Sequence, residues 1–127
     1  TNGCTDPRCP INTDFPIKTD AYQGETVATL VQFDFPAQGP WGTQMSAAYA
    51  DLAQDIAAEP GLRWKIWTEN AETQMAGGIY LFDDETLARA YAEKHTERLK
   101  GFGVSDIRAL FFDVNEALSQ ATRGPLD

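Results

Sequence analysis

A single histidine, His95, is the residue of this 127-residue chain best suited to move a proton near neutral pH. It falls on the ladder Leu87, Tyr91, His95, Leu99, whose i, i+4 spacing turns it toward the packing face of a helix. An inward histidine is either a core residue hydrogen bonded to a carbonyl or hydroxyl or a general base tuned by burial. The spacing leaves both open. Four aromatic residues, Trp64, Trp67, Tyr80 and Phe82, fall on two neighbouring extended segments. They form either core or the walls of a site for a planar aromatic ligand, with Tyr80 or an indole N–H as hydrogen-bond donor. Beside them Gly77-Gly78 removes two side chains from a strand, a mark of a bulge or of close approach by backbone or ligand. Glu69 closes the second strand, as a solvated carboxylate or as a ligand contact.

Other chemistries lack their residues. There is no dinucleotide fingerprint, no phosphate-binding loop and no G-x-S-x-G nucleophile motif. One histidine among scattered carboxylates does not make a metal site, so neither a metal nor a tightly held cofactor is expected. Cys4 and Cys9 are either two exposed thiols in a loose arm or, in an oxidising compartment, a small disulfide loop. Nineteen acidic residues against 10 Lys and Arg give a formal net charge of -9. The basic residues are scattered, so no nucleic-acid partner is expected. No apolar run approaches the ~20 residues of a membrane span. No membrane association is expected, and a cytoplasmic location is.

The elements that must position these residues can be read from periodicity. Residues 1–26, with three prolines and two glycines, read as an irregular N-terminal arm. Residues 27–127 read as one domain. Val27–Phe35 is β-branched and aromatic and stops at Pro36. Met45, Ala48, Tyr49, Leu52 and Ile56 recur at helical spacing over Thr43–Ala58, and Pro60-Gly61 ends that helix. Leu62–Glu69 alternates Leu62, Trp64 and Ile66 against Arg63, Lys65 and Trp67, a second strand, and Met75–Phe82 follows as its hairpin partner. Asp83 is the expected N-cap of a second helix that Arg98, Lys100 and Gly101 bring to an end. Val104–Val114 reads as a fourth strand, with a short helical turn around Leu118.

The order β-α-β-β-α-β is the ferredoxin-like arrangement, an α+β fold with a four-stranded antiparallel sheet and both helices on one face. Alternation then sorts the strands. Val31, Phe33 and Phe35 oppose Leu30; Trp67 opposes Trp64 and Ile66; Tyr80 and Phe82 oppose Ile79 and Leu81; Phe111 opposes Leu110 and Phe112. Both faces carry large apolar groups, and a bare face of that size is rare on a monomer. A homodimer packed sheet to sheet is expected; a folded-back arm is the alternative.

Trp64-Lys-Ile-Trp-Thr-Glu69, Ala76-Gly-Gly-Ile-Tyr-Leu-Phe82, Glu93-Lys-His-Thr-Glu-Arg-Leu99 and Phe112-Asp-Val-Asn-Glu-Ala-Leu-Ser119 resemble, in order and spacing, the YdhR family, whose members carry a monooxygenase label. The resemblance spans roughly Val27 to Gln120 and implies a dimeric α+β barrel. It marks Trp64, Trp67, Glu69, Tyr80, His95 and Arg98, and it implies oxidation of a small aromatic, phenolic or quinol, compound without a cofactor. On that reading His95 is the base and Tyr80 steadies the oxygen anion, while Trp64, Trp67, Glu69, Phe82 and Arg98 hold the substrate. A non-catalytic dimer binding a small hydrophobic ligand, or a tetrapyrrole-handling protein, are the alternatives.

Overall fold

The computed structural model describes residues 27–127; the expected arm, with Cys4 and Cys9, lies outside them. Four runs rich in β-branched and aromatic residues form the strands β1 (Thr29–Pro36), β2 (Leu62–Asn70), β3 (Met75–Phe82) and β4 (Arg108–Asp113). They make one antiparallel sheet in the order β2-β3-β1-β4, with the two strands of the β2–β3 hairpin separated in sequence from the central β1. The helices are α1 (Gly42–Ala48), α2 (Ala50–Ala57), α3 (Glu85–Gly101) and α4 (Glu116–Ala121). This is the ferredoxin-like βαββαβ arrangement with one added helix at the C-terminal end.

Besides the later start of the fourth strand, at Arg108 rather than Val104, local details depart from the sequence reading in three places. The first helix is interrupted at Tyr49, where φ is -110° and ψ 17°, and the ring of Tyr49 stacks on Trp67 of the sheet. The N-cap of α3 is Asp84, not Asp83: its carboxylate accepts from the Leu87 amide at 2.8 Å, while Asp83 pairs with Arg63. The third departure is an irregularity between Leu62 and Trp64 in the β2–β3 register. It moves Leu62 to the face shared by Lys65 and Trp67, leaving Trp64 and Ile66 on the other.

The helix-covered face holds the core. Val31 and Phe33 of β1 stand beside Tyr80 and Phe82 of β3, and Ile56 of α2 and Ala88, Tyr91 and Leu99 of α3 close over them. Phe33 sits at the centre, edge-on to Tyr80, Tyr91 and His95. Burying one such ring contributes about 1.5–3 kcal/mol. Gly77 and Gly78 have separate reasons to lack a Cβ. One on Gly77 would run into the Phe33 carbonyl of β1, and one on Gly78 would stand 2.7 Å from Cε of Lys65. Both are close approaches rather than a bulge.

The opposite face carries Leu30, Trp64, Ile66, Ile79, Leu81, Leu110 and Phe112, as alternation requires. Part of it is covered by the chain's own C-terminal end. After α4 the chain turns back, and the Trp64 indole N–H donates to the Pro125 carbonyl at 2.7 Å while Arg63 donates to that of Leu126 at 2.7 Å. Leu81 is thereby reduced to 1% exposure, whereas Ile66 keeps 52% and Phe112 48%. Among the described residues, no helix is long and apolar enough to cross a membrane.

Candidate functional site

Between the sheet and the helices lies a cavity of about 560 Å³, the size class of small-molecule sites. Its walls come from the end of β1, the α1–α2 junction, strands β2 and β3, and α3 with the loop that follows it. Trp67 of β2 is stacked with Tyr49, ring centroids 6.2 Å apart, which gives the site a flat aromatic wall. Tyr80 and His95 supply polar groups, and half-buried Lys65 lies across Gly78 with its Nζ 3.4 Å from the centroid of the Trp67 ring.

His95 is 3% exposed, and α3 holds it through its own next turn. Arg98 approaches the imidazole Nδ1 with Nε at 3.3 Å and Nη2 at 3.1 Å, and is anchored at the far side by Asp55 of α2 at 2.8 Å. A guanidinium can only donate, so Nδ1 accepts and the neutral ring carries its hydrogen on Nε2. Among the described residues, nothing is hydrogen bonded to that Nε2. Burial, reinforced by the charges of Lys65 and Arg98, pushes the His95 pKa down to about 3. At neutral pH His95 is therefore an uncharged N–H donor.

The neighbouring hydroxyls move the other way. Burial lifts the Tyr91 phenol to about 12, and burial together with the proximity of Tyr91 lifts Tyr80 higher still. The two oxygens are 3.4 Å apart, a long contact. Lys65 is the opposite case: burial, and then the charge of Arg98, lower its amine to about 7.

Of the residues singled out by sequence, Trp67, Tyr80 and His95 meet at the cavity, and Arg98 stands behind His95. Trp64 is on the other face of the sheet, tied to Pro125. Phe82 is fully buried within the core cluster and away from the cavity lining. Glu69 accepts from the Gly42 amide at 2.8 Å, fastening the start of α1 to β2. Sequence reasoning missed Lys65 and Tyr49. Alternation sorts Lys65 with Trp67 on one side of β2, but no motif marks it as a functional residue. Spacing places Tyr49 on the apolar face of the first helix, but its stacking on Trp67 was not anticipated. Among the described residues, no group of three or more His, Cys, Asp or Glu side chains could hold a metal ion.

The sheet order and the cavity beneath two helices define a ferredoxin-like α+β protein. The family model described as "Putative mono-oxygenase ydhR" matches residues 30–125. The chain belongs to that family. No curated protein matches it.

Proposed function

We propose that this chain is a monooxygenase of a small hydroxylated aromatic compound, acting without a resident cofactor, with the cavity beneath α2 and α3 as its active site. The observation that carries the reading is the pairing of a flat wall, Trp67 stacked with Tyr49, with buried polar groups of Tyr80 and His95 in one cavity. The ring of the substrate lies against Trp67. Its ionised oxygen is met by the Nε2–H of His95, a preorganised donor, and by the Tyr80 hydroxyl. His95 acts as this donor rather than as the base: a conjugate acid near pKa 3, with Nδ1 already engaged by Arg98, makes a weak proton acceptor at neutral pH.

The chemistry balances without an external reductant. A hydroxyarene anion gives one electron to dioxygen, the two radicals join at the ring carbon, and the hydroperoxide loses water. One phenol and one dioxygen thus yield one quinone and one water. Oxygen uptake by the protein over a panel of phenols and hydroquinones tests this, with one dioxygen consumed per quinone formed. Trp67→Ala is expected to lower kcat/KM about tenfold through lost stacking. Thermal stabilisation by those compounds with no oxygen uptake would leave a non-catalytic binding module instead.

We also assign the uncovered part of the open face to a second copy of the chain. The support is the exposure that Ile66, Leu110 and Phe112 keep on one sheet surface despite the C-terminal tail. Light scattering gives the answer: a mass of two chains that Phe112→Asp halves.

A further inference from the structure

The cavity has one charged residue in its lining, and in a chain of net charge -9 that residue is a cation. Lys65 is there, and the described lining contains neither Asp nor Glu. The lysine is held in place by geometry specific to this fold. Its stem crosses Gly78, where any Cβ would stand 2.7 Å from Cε, and its Nζ hovers 3.4 Å from the centre of the Trp67 ring and 4.7 Å from that of Tyr80. Among the described residues it has no hydrogen bond and no carboxylate partner, and the Asp55 carboxylate of α2 is paired with Arg98. An ammonium largely withdrawn from water without a counter-ion is costly. The cavity therefore lacks a negative charge that a ligand can bring.

The geometry points to Lys65 as the proton acceptor of the site, which makes the substrate class a weakly acidic hydroxyarene that enters neutral and is held as its anion. The inference rests on the reading of the cavity as an aromatic-substrate site and deepens it. In the step, the substrate O–H bond breaks, an N–H bond forms on Nζ, and the oxygen keeps the electron pair. The product is an ammonium–phenolate pair in which each charge answers the other. Two features favour this over a site for a permanent anion. Lysine can lose its charge where arginine cannot, and burial here brings its amine to about 7, so that it waits uncharged over the range where a phenol is still protonated. The mutual attraction of the new pair then draws the proton across.

The titratable and charged groups around Lys65 come from every wall: Tyr80 from β3, His95 and Arg98 from α3, Asp55 of α2 through Arg98, and Tyr49 from the α1–α2 junction. Burial first, and then the charge of Arg98, keep the amine from charging in the empty site.

The probe is 2-naphthol, with 2-methoxynaphthalene as its non-ionisable twin, bound at about pH 8, between the lowered amine and the ordinary phenol range. Wild-type protein is expected to show the absorption band of bound naphtholate while releasing no proton to the buffer, because Lys65 keeps it. Lys65→Met should bind both probes alike, with no naphtholate band. Lys65→Arg should hold naphtholate and release about one proton per probe bound, since its cation cannot take one up. The proposal is overturned if wild-type binds 2-naphthol in its neutral form, or if Lys65→Met still yields the naphtholate band. Failure of wild-type protein to bind either probe would overturn the aromatic-site reading together with it. Binding of both with no ionisation would remove Lys65 alone.

Discussion

The two faces of the sheet are equally rich in large apolar residues, yet they have been put to different uses. On the helix-covered face, Phe33, Tyr80 and Tyr91 surround a histidine that is 3% exposed, and burial strips it of its charge. On the open face, the same residue types meet, among the described residues, only a C-terminal tail and, past its end, stay half exposed. The difference lies in what is laid over the sheet rather than in the sheet's own composition. Two helices create a low-dielectric space in which ionisable groups acquire unusual proton affinities, and such groups are what chemistry requires. A short tail creates only cover.

The sharpest way to break this contrast is to delete one ring from each face. Phe33→Ala removes the ring against which Tyr80, Tyr91 and His95 all pack edge-on. It is expected to cost about 3–5 kcal/mol of unfolding free energy, because the close-packed neighbours cannot collapse into the gap. Phe112→Ala, on the open face at 48% exposure, should cost about 1 kcal/mol or less in the monomer. Urea denaturation of both variants at low protein concentration measures the pair. Equal losses would mean that the open face is a second core and that the contrast drawn above is false.

Much of this arrangement was legible in the chain itself, for a physical reason. Alternation has a period of two, so Val31 and Phe33 had to oppose Leu30, and Tyr80 and Phe82 had to oppose Ile79 and Leu81. The i, i+4 ladder likewise had to bring Tyr91, His95 and Leu99 to the inner side of α3. Register, breaks and cover were less accessible. The irregularity at Leu62 and Trp64 reverses strand parity within one residue, and no composition rule announces it. The turn at Tyr49 joins two helices across a sequence that reads as one periodic helix. As for the site, alternation put Lys65 on the Trp67 side of β2, but nothing in the chain marks a single strand lysine as a lining residue of a cavity. Only the missing Cβ of Gly78 shows the channel its stem follows inward. Trp64 and Phe82 belong to the same aromatic group as Trp67 and Tyr80 in sequence. Strand parity sends Trp64 to the other face, and depth seals Phe82 in the core.

The second test sharpens the contrast through pH. In the unfolded chain His95 takes up a proton near pH 6.5, while in the folded protein it does so only near 3. Between those values the unfolded state binds the extra proton, so stability contributed by this residue is full above about 6.5 and falls as pH drops toward 3, where it levels off. His95→Gln keeps a polar side chain and abolishes the titration. At about pH 4.5, two units into the window, wild-type stability relative to this variant should have fallen by roughly 2.7 kcal/mol from its value at neutrality, at about 1.36 kcal/mol per unit. The carboxylates titrate in both proteins and cancel in the difference. Arg98→Met, which removes one of the charges holding the imidazole neutral, should narrow the window from its acid end. A difference that stays flat with pH would show that His95 is reached by water, and the helix face would lose its claim to an unusual dielectric.

The smallest effect belongs to the tail. Trp64→Phe retains an aromatic ring on the open face but deletes the N–H that donates to the Pro125 carbonyl at 2.7 Å. A hydrogen bond in such a partly exposed setting contributes about 0.5–1.5 kcal/mol, and here the low end applies, because water can replace the lost donor. The global stability should therefore change by well under 1 kcal/mol. The local consequence is larger, since the second tie, Arg63 to the Leu126 carbonyl, is a single exposed contact. Amide hydrogen exchange across residues 119–127 should quicken severalfold while α3 is unchanged, and Leu81, now 1% exposed beneath the tail, should become accessible. If exchange in the tail and in α3 rose together, the cover on the open face would be part of the folding unit of the core, and the two faces would not be independent after all.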